Sequence, residues 1–129
     1  MKVLVAFALF VVLHLVGWGV AHGWLSANNK QTLVVVDTSF AMKPHFANMQ
    51  KWMEDFDADS RYTEIVIGTD KAKIGPWQDI RSPDSIFRSA FGKISADSLK
   101  KYANEDADRR ILLSDGSVEP GGWETVVFK

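Results

Sequence analysis

Two aspartates stand where chemistry is easiest to build. Leu33, Val34, Val35 and Val36 run directly into Asp37, which is followed by Thr38 and Ser39. Near the other end of the chain, Ile111, Leu112 and Leu113 run into Ser114, Asp115 and Gly116. An apolar run without alternation predicts a strand buried on both faces, as in a parallel sheet. Ligands of open α/β sheets bind at the carboxyl ends of such strands. Two buried strands ending in aspartate would bring two carboxylates to one sheet edge. Like charges that close repel, and one stays protonated unless something offsets it. A cation, loop amides or a basic partner group would each serve. The plain structural alternative is that both carboxylates only cap loop amides.

Other chemistry is poorly represented. The chain has 129 residues and no cysteine, so disulfides, thiolate metal sites and cysteine nucleophiles are excluded. Net charge is -1 and no basic run is interleaved with aromatics, so nothing points to nucleic acid. His14 and His22 lie in or beside an apolar segment and His45 at an expected helix start, so no Ser-His-Asp arrangement forms. Gly116, Gly121 and Gly122 lack the lysine and the strand-loop-helix setting of a phosphate loop.

The elements that would position the aspartates can be read in order. Residues 1–22 form a transmembrane anchor or a signal peptide. Val3–Ala21 is broken only by His14, Gly17 and Gly19, and Trp18 and Trp24 stand near its far end. Gly19-Val20-Ala21 is a small-x-small triplet that a signal peptidase accepts. Lys2 is the one charged side chain before the run, which places the rest of the chain outside the cytoplasm. Residues 23–31 read as a tether and residues 32–129 as one domain.

Within that domain, Phe46, Met49, Met53 and Phe56 lay one apolar stripe on a helix over about Met42–Phe56. Arg61–Gly68 and Lys71–Trp77 alternate around a Gly-Thr-Asp-Lys turn. They predict a hairpin whose second strand, holding Gly75 and Pro76, lies at an edge. Ser82-Pro83-Asp84 predicts a helix start, with Ile86/Ala90 and Phe87/Phe91 as i,i+4 pairs and Gly92 as its stop. Ser95-Ala96-Asp97 predicts another, carrying Leu99, Tyr102 and Ala103 on its apolar face. Trp123–Phe128 predicts a last strand. Buried strands alternating with amphipathic helices predict a three-layer α/β sandwich, mostly parallel, with one antiparallel edge.

From Thr32 onward the order of elements and the motifs resemble a von Willebrand factor type A domain. The residues that carry this are Asp37-Thr38-Ser39-Phe40-Ala41-Met42, the hairpin from Glu64 to Trp77, and Ile111–Gly116. The resemblance implies a doubly wound fold and a metal-ion-dependent adhesion site. There a divalent cation, usually magnesium, takes a carboxylate from a partner protein. Residue by residue it implies Asp37, Ser39 and Asp115 as metal ligands. Ala41 stands where the family has a second serine, and the family's threonine loop, a helix before the last strand and a terminal helix are missing. Two carboxylates and a hydroxyl, completed by waters, still meet magnesium's octahedral oxygen preference.

The function expected from this is non-catalytic: a single-pass inner-membrane protein with its domain in the periplasm. Lipid surrounds residues 3–21, and the domain binds a protein partner as an accessory subunit or assembly factor. The alternative is a phosphohydrolase resembling the haloacid-dehalogenase class, with Asp37 as nucleophile and Ser114 as its second motif. Ser39 then occupies the place of that class's second aspartate. A third reading is a structural subunit whose main role is its transmembrane helix.

Overall fold

The computed structural model describes residues 1–129. Helix α1, Lys2–Ala27, is long and apolar enough to cross a membrane, and no residue in it is buried. At ~1.5 Å per residue it extends about 39 Å, beyond a hydrocarbon core of about 30 Å. The helix runs unbroken through Gly19-Val20-Ala21. The expected tether over residues 23–31 is helical to Ala27 and extended from Lys30, so only Asn28 and Asn29 separate helix from sheet.

The remainder is an α/β unit. Its strands are β1 (Lys30–Val36), β2 (Thr63–Thr69), β3 (Lys73–Pro76), β4 (Arg109–Ser114) and β5 (Glu124–Val127). The sheet order is β3-β2-β1-β4-β5. β1 pairs parallel with β2 and β4, and β4 parallel with β5, whereas β3 runs antiparallel to β2. The mostly parallel sheet with an antiparallel edge therefore stands as the sequence predicts.

Burial follows the two-residue strand period. Val34 and Val36 face one side with Ile65, Ile67, Ile111 and Leu113. Helix α2, Phe46–Asp59, covers that side with Phe46, Met49 and Met53, and Trp52 and Phe56 pack at its margin. Leu33 and Val35 face the other side with Val66, Leu112, Leu99 and Tyr102.

Three expected helices differ. The stretch Phe40–His45 is 3-10, and α2 begins only at Phe46. Pro44 thus lies within the lead-in turn, two residues before α2, and does not open the helix. The Ser82 start yields a single 3-10 turn, Pro83–Ser85. Downstream of it the backbone bonds to another loop: Phe91 N–H donates to Thr38 O and Phe40 N–H to Gly92 O. Those donors and acceptors are unavailable to a helix, and Phe91 is exposed instead of pairing with Phe87.

The Ser95 start does carry its capping box with Ser98, but the segment Ala96–Tyr102 is 3-10. Its three-residue turn stacks Leu99 over Tyr102, both buried, and leaves Ala103 exposed. One face of the sheet is therefore covered by an α-helix. The other is covered by a 3-10 segment with Ile94, Ala107, Val118 and Trp123.

Candidate functional site at the carboxyl edge of the sheet

Strand register brings the polar residues together. Val36 pairs with Thr69 of β2 and with Leu113 of β4, so Asp37 follows beside Asp70 on one flank and Ser114 on the other. Backbone bonds extend the pairing past the strand ends. Asp37 N–H donates to Leu113 O at 2.9 Å, and Asp70 N–H donates to Val36 O at 3.2 Å. Asp115 lies one residue beyond Ser114. The edge is thus built from the ends of the three central strands.

Asp37 is 1% exposed. Its Oδ1 accepts the backbone N–H of Ser39 at 2.8 Å. Its Oδ2 is buried and has no hydrogen-bond partner. Burial raises the carboxyl's pKa above its ordinary value, the Ser39 hydroxyl and N–H oppose this, and the charges of Asp70 and then Asp115 add to it. The sequence alone predicts repulsion within an Asp37–Asp115 pair. In the fold, desolvation outweighs like-charge repulsion, and Asp70 is the stronger charged neighbour.

Asp115 is in a different state. It is partly exposed, and its Oδ1 accepts the Ser117 N–H at 2.9 Å. The Ser117 hydrogen bonds hold its carboxyl below the ordinary value, with the Lys129 charge adding a smaller pull. Ser39 is 4% exposed and abuts Asp37. The three sequence-expected residues therefore share one edge, with Asp37 and Ser39 buried together and Asp115 turned into its own loop.

Asp70 is the residue that sequence reading missed. Gly68-Thr69-Asp70-Lys71 has turn composition, yet Asp70 is 4% exposed and firmly held. Its Oδ1 accepts the Thr38 N–H at 3.0 Å and the Thr38 hydroxyl at 2.7 Å. Its Oδ2 accepts Lys71 Nζ at 2.8 Å, and the same ammonium donates to Thr38 Oγ1 at 3.1 Å. Lys101 Nζ donates to the carbonyls of Asp70 and Lys71, closing the turn from below. A signal was present: Ile65-Val66-Ile67-Gly68-Thr69-Asp70 is a third apolar run that reaches an aspartate.

The donor set suits a hard cation in part. A buried carboxylate oxygen lacking a partner is costly unless something pairs with it. A small divalent cation held by Asp37 and Ser39, and joined by Asp115, would use that oxygen. Ala41 is exposed and offers only a methyl group. No cluster of at least three His, Cys, Asp or Glu side chains forms a metal-ligand group in the chain. Five surface clefts of the chain are lined by residues other than these three. No family model, curated protein or solved structure matches this chain.

Proposed function

We propose that this chain is a membrane-anchored, non-catalytic interaction module, an accessory subunit or assembly factor of a membrane complex. Helix α1 is the anchor, and the α/β unit lies on the extracytoplasmic side of a plasma membrane. The carboxyl edge of the sheet receives a protein partner, with magnesium held weakly by Asp37, Ser39 and Asp115. When bound, the cation supplies a positive centre that a partner's carboxylate can ligate. Asp37 supplies the buried charge, Ser39 fixes that carboxylate's orientation through its N–H, and Asp115 brings a second, more accessible charge. The resemblance to von Willebrand factor type A domains supports this reading. The observation that carries it is the buried, unpartnered Oδ2 of Asp37.

The test is purification of the full chain from native membranes in mild detergent, in magnesium and in chelator, beside Asp37→Ala. A partner that co-purifies only with the unaltered chain in magnesium is the expected result. A partner retained in chelator and by Asp37→Ala overturns the metal-dependent reading. The anchor is tested by carbonate washing: the full-length chain stays in the pellet, whereas release of a chain lacking residues 1–21 identifies a cleaved leader.

A further inference from the structure

The two most exposed large apolar side chains of the α/β unit are Phe40, 69% exposed, and Phe91, 60% exposed. They are distant in sequence but their backbones are joined. Phe91 N–H donates to Thr38 O at 3.1 Å, and Phe40 N–H donates to Gly92 O at 3.2 Å. Phe40 thus sits on the loop that follows β1, and Phe91 on the β3–β4 connection that is hydrogen-bonded to that loop, near Asp37 at the carboxyl edge. Lys71 Nζ lies 4.4 Å from the centre of the Phe91 ring, a cation–π contact at the same edge.

The charge carried by the two segments themselves is one-sided. The segments that carry it, residues 38–45 and 81–93, hold Lys43, Arg81, Arg88 and Lys93 against one exposed acid, Asp84. None of those four cations is in an ion pair, although the whole chain is net -1. Exposed phenylalanines among unpaired cations suit two kinds of surface, an anionic membrane or an acidic, apolar peptide. The position of α1 separates them. That helix enters the unit at the opposite edge, through Asn28 and Asn29 into β1, where His22 Nδ1 meets the Tyr62 hydroxyl. The length of β1 sets the phenylalanines about 20 Å from that entry, at ~3.3 Å per residue. With α1 in a membrane, they face away from its bilayer.

We infer that Phe40 and Phe91, on two segments that also carry the exposed cations Lys43, Arg81, Arg88 and Lys93, form the docking face for an acidic, apolar segment of a protein partner. This rests on the interaction reading above but not on its cation. An aliphatic or aromatic side chain of the partner covers the two rings, and its flanking carboxylates meet the cations.

The probes are three labelled peptides of equal length, alternating glutamate with leucine, glutamate with serine, and lysine with leucine. They are titrated against the full chain in lipid nanodiscs, and flotation with anionic phosphatidylglycerol vesicles is run alongside. The glutamate–leucine peptide binds at least tenfold more tightly than the other two. Phe40→Ser and Phe91→Ser each lose that preference; Phe40→Ser keeps the melting temperature because its ring is exposed, and Phe91→Ser lowers it slightly through the lost Lys71 contact while the chain stays folded. Preference retained in chelator supports the docking face and counts against the cation. Preference lost in chelator but indifferent to both phenylalanine changes overturns the docking face and leaves the cation standing. Equal binding of all three peptides, or Phe-dependent flotation without peptide binding, also overturns it.

Discussion

Asp37 and Asp70 stand side by side at the ends of β1 and β2, and only Asp70 has a partner for both carboxylate oxygens. The asymmetry arises in one dipeptide step. Thr38 turns its N–H and hydroxyl toward Asp70, and Ser39 offers Asp37 a single amide. A fold that satisfies one buried carboxylate so fully and leaves its neighbour half bare has kept a cost at that point. Costs of this kind concentrate where a ligand later removes them.

In chelator at neutral pH, Asp37→Asn should raise stability. The amide oxygen keeps the Ser39 bond and no charge remains to be desolvated, a gain of about 1 kcal/mol. For a domain of this size that corresponds to a melting temperature higher by about 4–8 °C. The pH dependence has a definite sign. Asp37 has a raised pKa in the fold, so the folded chain binds a proton that the unfolded chain releases. The unaltered chain therefore gains on the variant as pH falls through the folded-state pKa. The gap closes below the ordinary value of 3.8. Thermal melts across acid pH read this directly, and a gap that widens toward acid contradicts it.

Magnesium should reverse the order at neutral pH. A ligand that binds only the folded state stabilises by mass action, about 2.7 kcal/mol at a hundredfold excess over its Kd and less at a weak site. Millimolar magnesium should raise the melting temperature of the unaltered chain by a few degrees and leave Asp37→Asn unmoved. Asp115→Asn should also lose the shift. Its melting temperature in chelator should stay near that of the unaltered chain, because Asp115 is partly exposed. A magnesium shift that survives both substitutions places the cation elsewhere.

Thr38→Val should be the costliest conservative change at this edge. It keeps shape but deletes the hydroxyl that donates to Asp70 at 2.7 Å and accepts from Lys71 at 3.1 Å. Loss of a buried bond to a charged group costs about 1.5–3 kcal/mol. Thr38→Ser should recover most of it. Urea unfolding midpoints of the two variants make the comparison, and equal midpoints rule out the network as a source of stability.

Gly68→Ala should destabilise through one neighbour. A Cβ at Gly68 would lie 2.3 Å from the hydroxyl of Tyr102, which donates to Thr69 O. Overpacking of this kind costs about 1–3 kcal/mol. In a Tyr102→Leu background the same glycine change should cost much less, because the clashing ring is gone. A double-mutant cycle that sums additively would show that Gly68 matters for its backbone alone.

The sequence by itself determined the strands and the apolar stripe of the helix that follows the first of them. Unbroken apolar runs have no stable place except a sheet interior, so β1 and β4 were legible from Leu33–Val36 and Ile111–Leu113, and β2 from the alternation within Arg61–Gly68. The Met and Phe spacing of α2, the Pro76 edge strand and the long apolar helix α1 rest equally on local rules of period, donor count and hydrophobic length. Asp37 and Asp115 were visible because a polar residue that ends a buried run has only the sheet edge to occupy, and Ser39 entered only through the resemblance to the adhesion-site motif.

Tertiary structure decided the rest. Ser82 to Gly92 carries sound helix signals, but its backbone bonds to Thr38 and Phe40 replace the helical ones, and that pairing is not written in local sequence. The same pairing leaves Phe40 and Phe91 exposed together. Asp70 changed from a turn residue to a buried anchor because strand register, a long-range property, set it against Thr38. Which aspartate would be satisfied and which left bare was decided by the orientation of three loop residues, Thr38, Ser39 and Ser117. Hydrogen bonds spend a donor once, and only the folded arrangement settles which acceptor receives it.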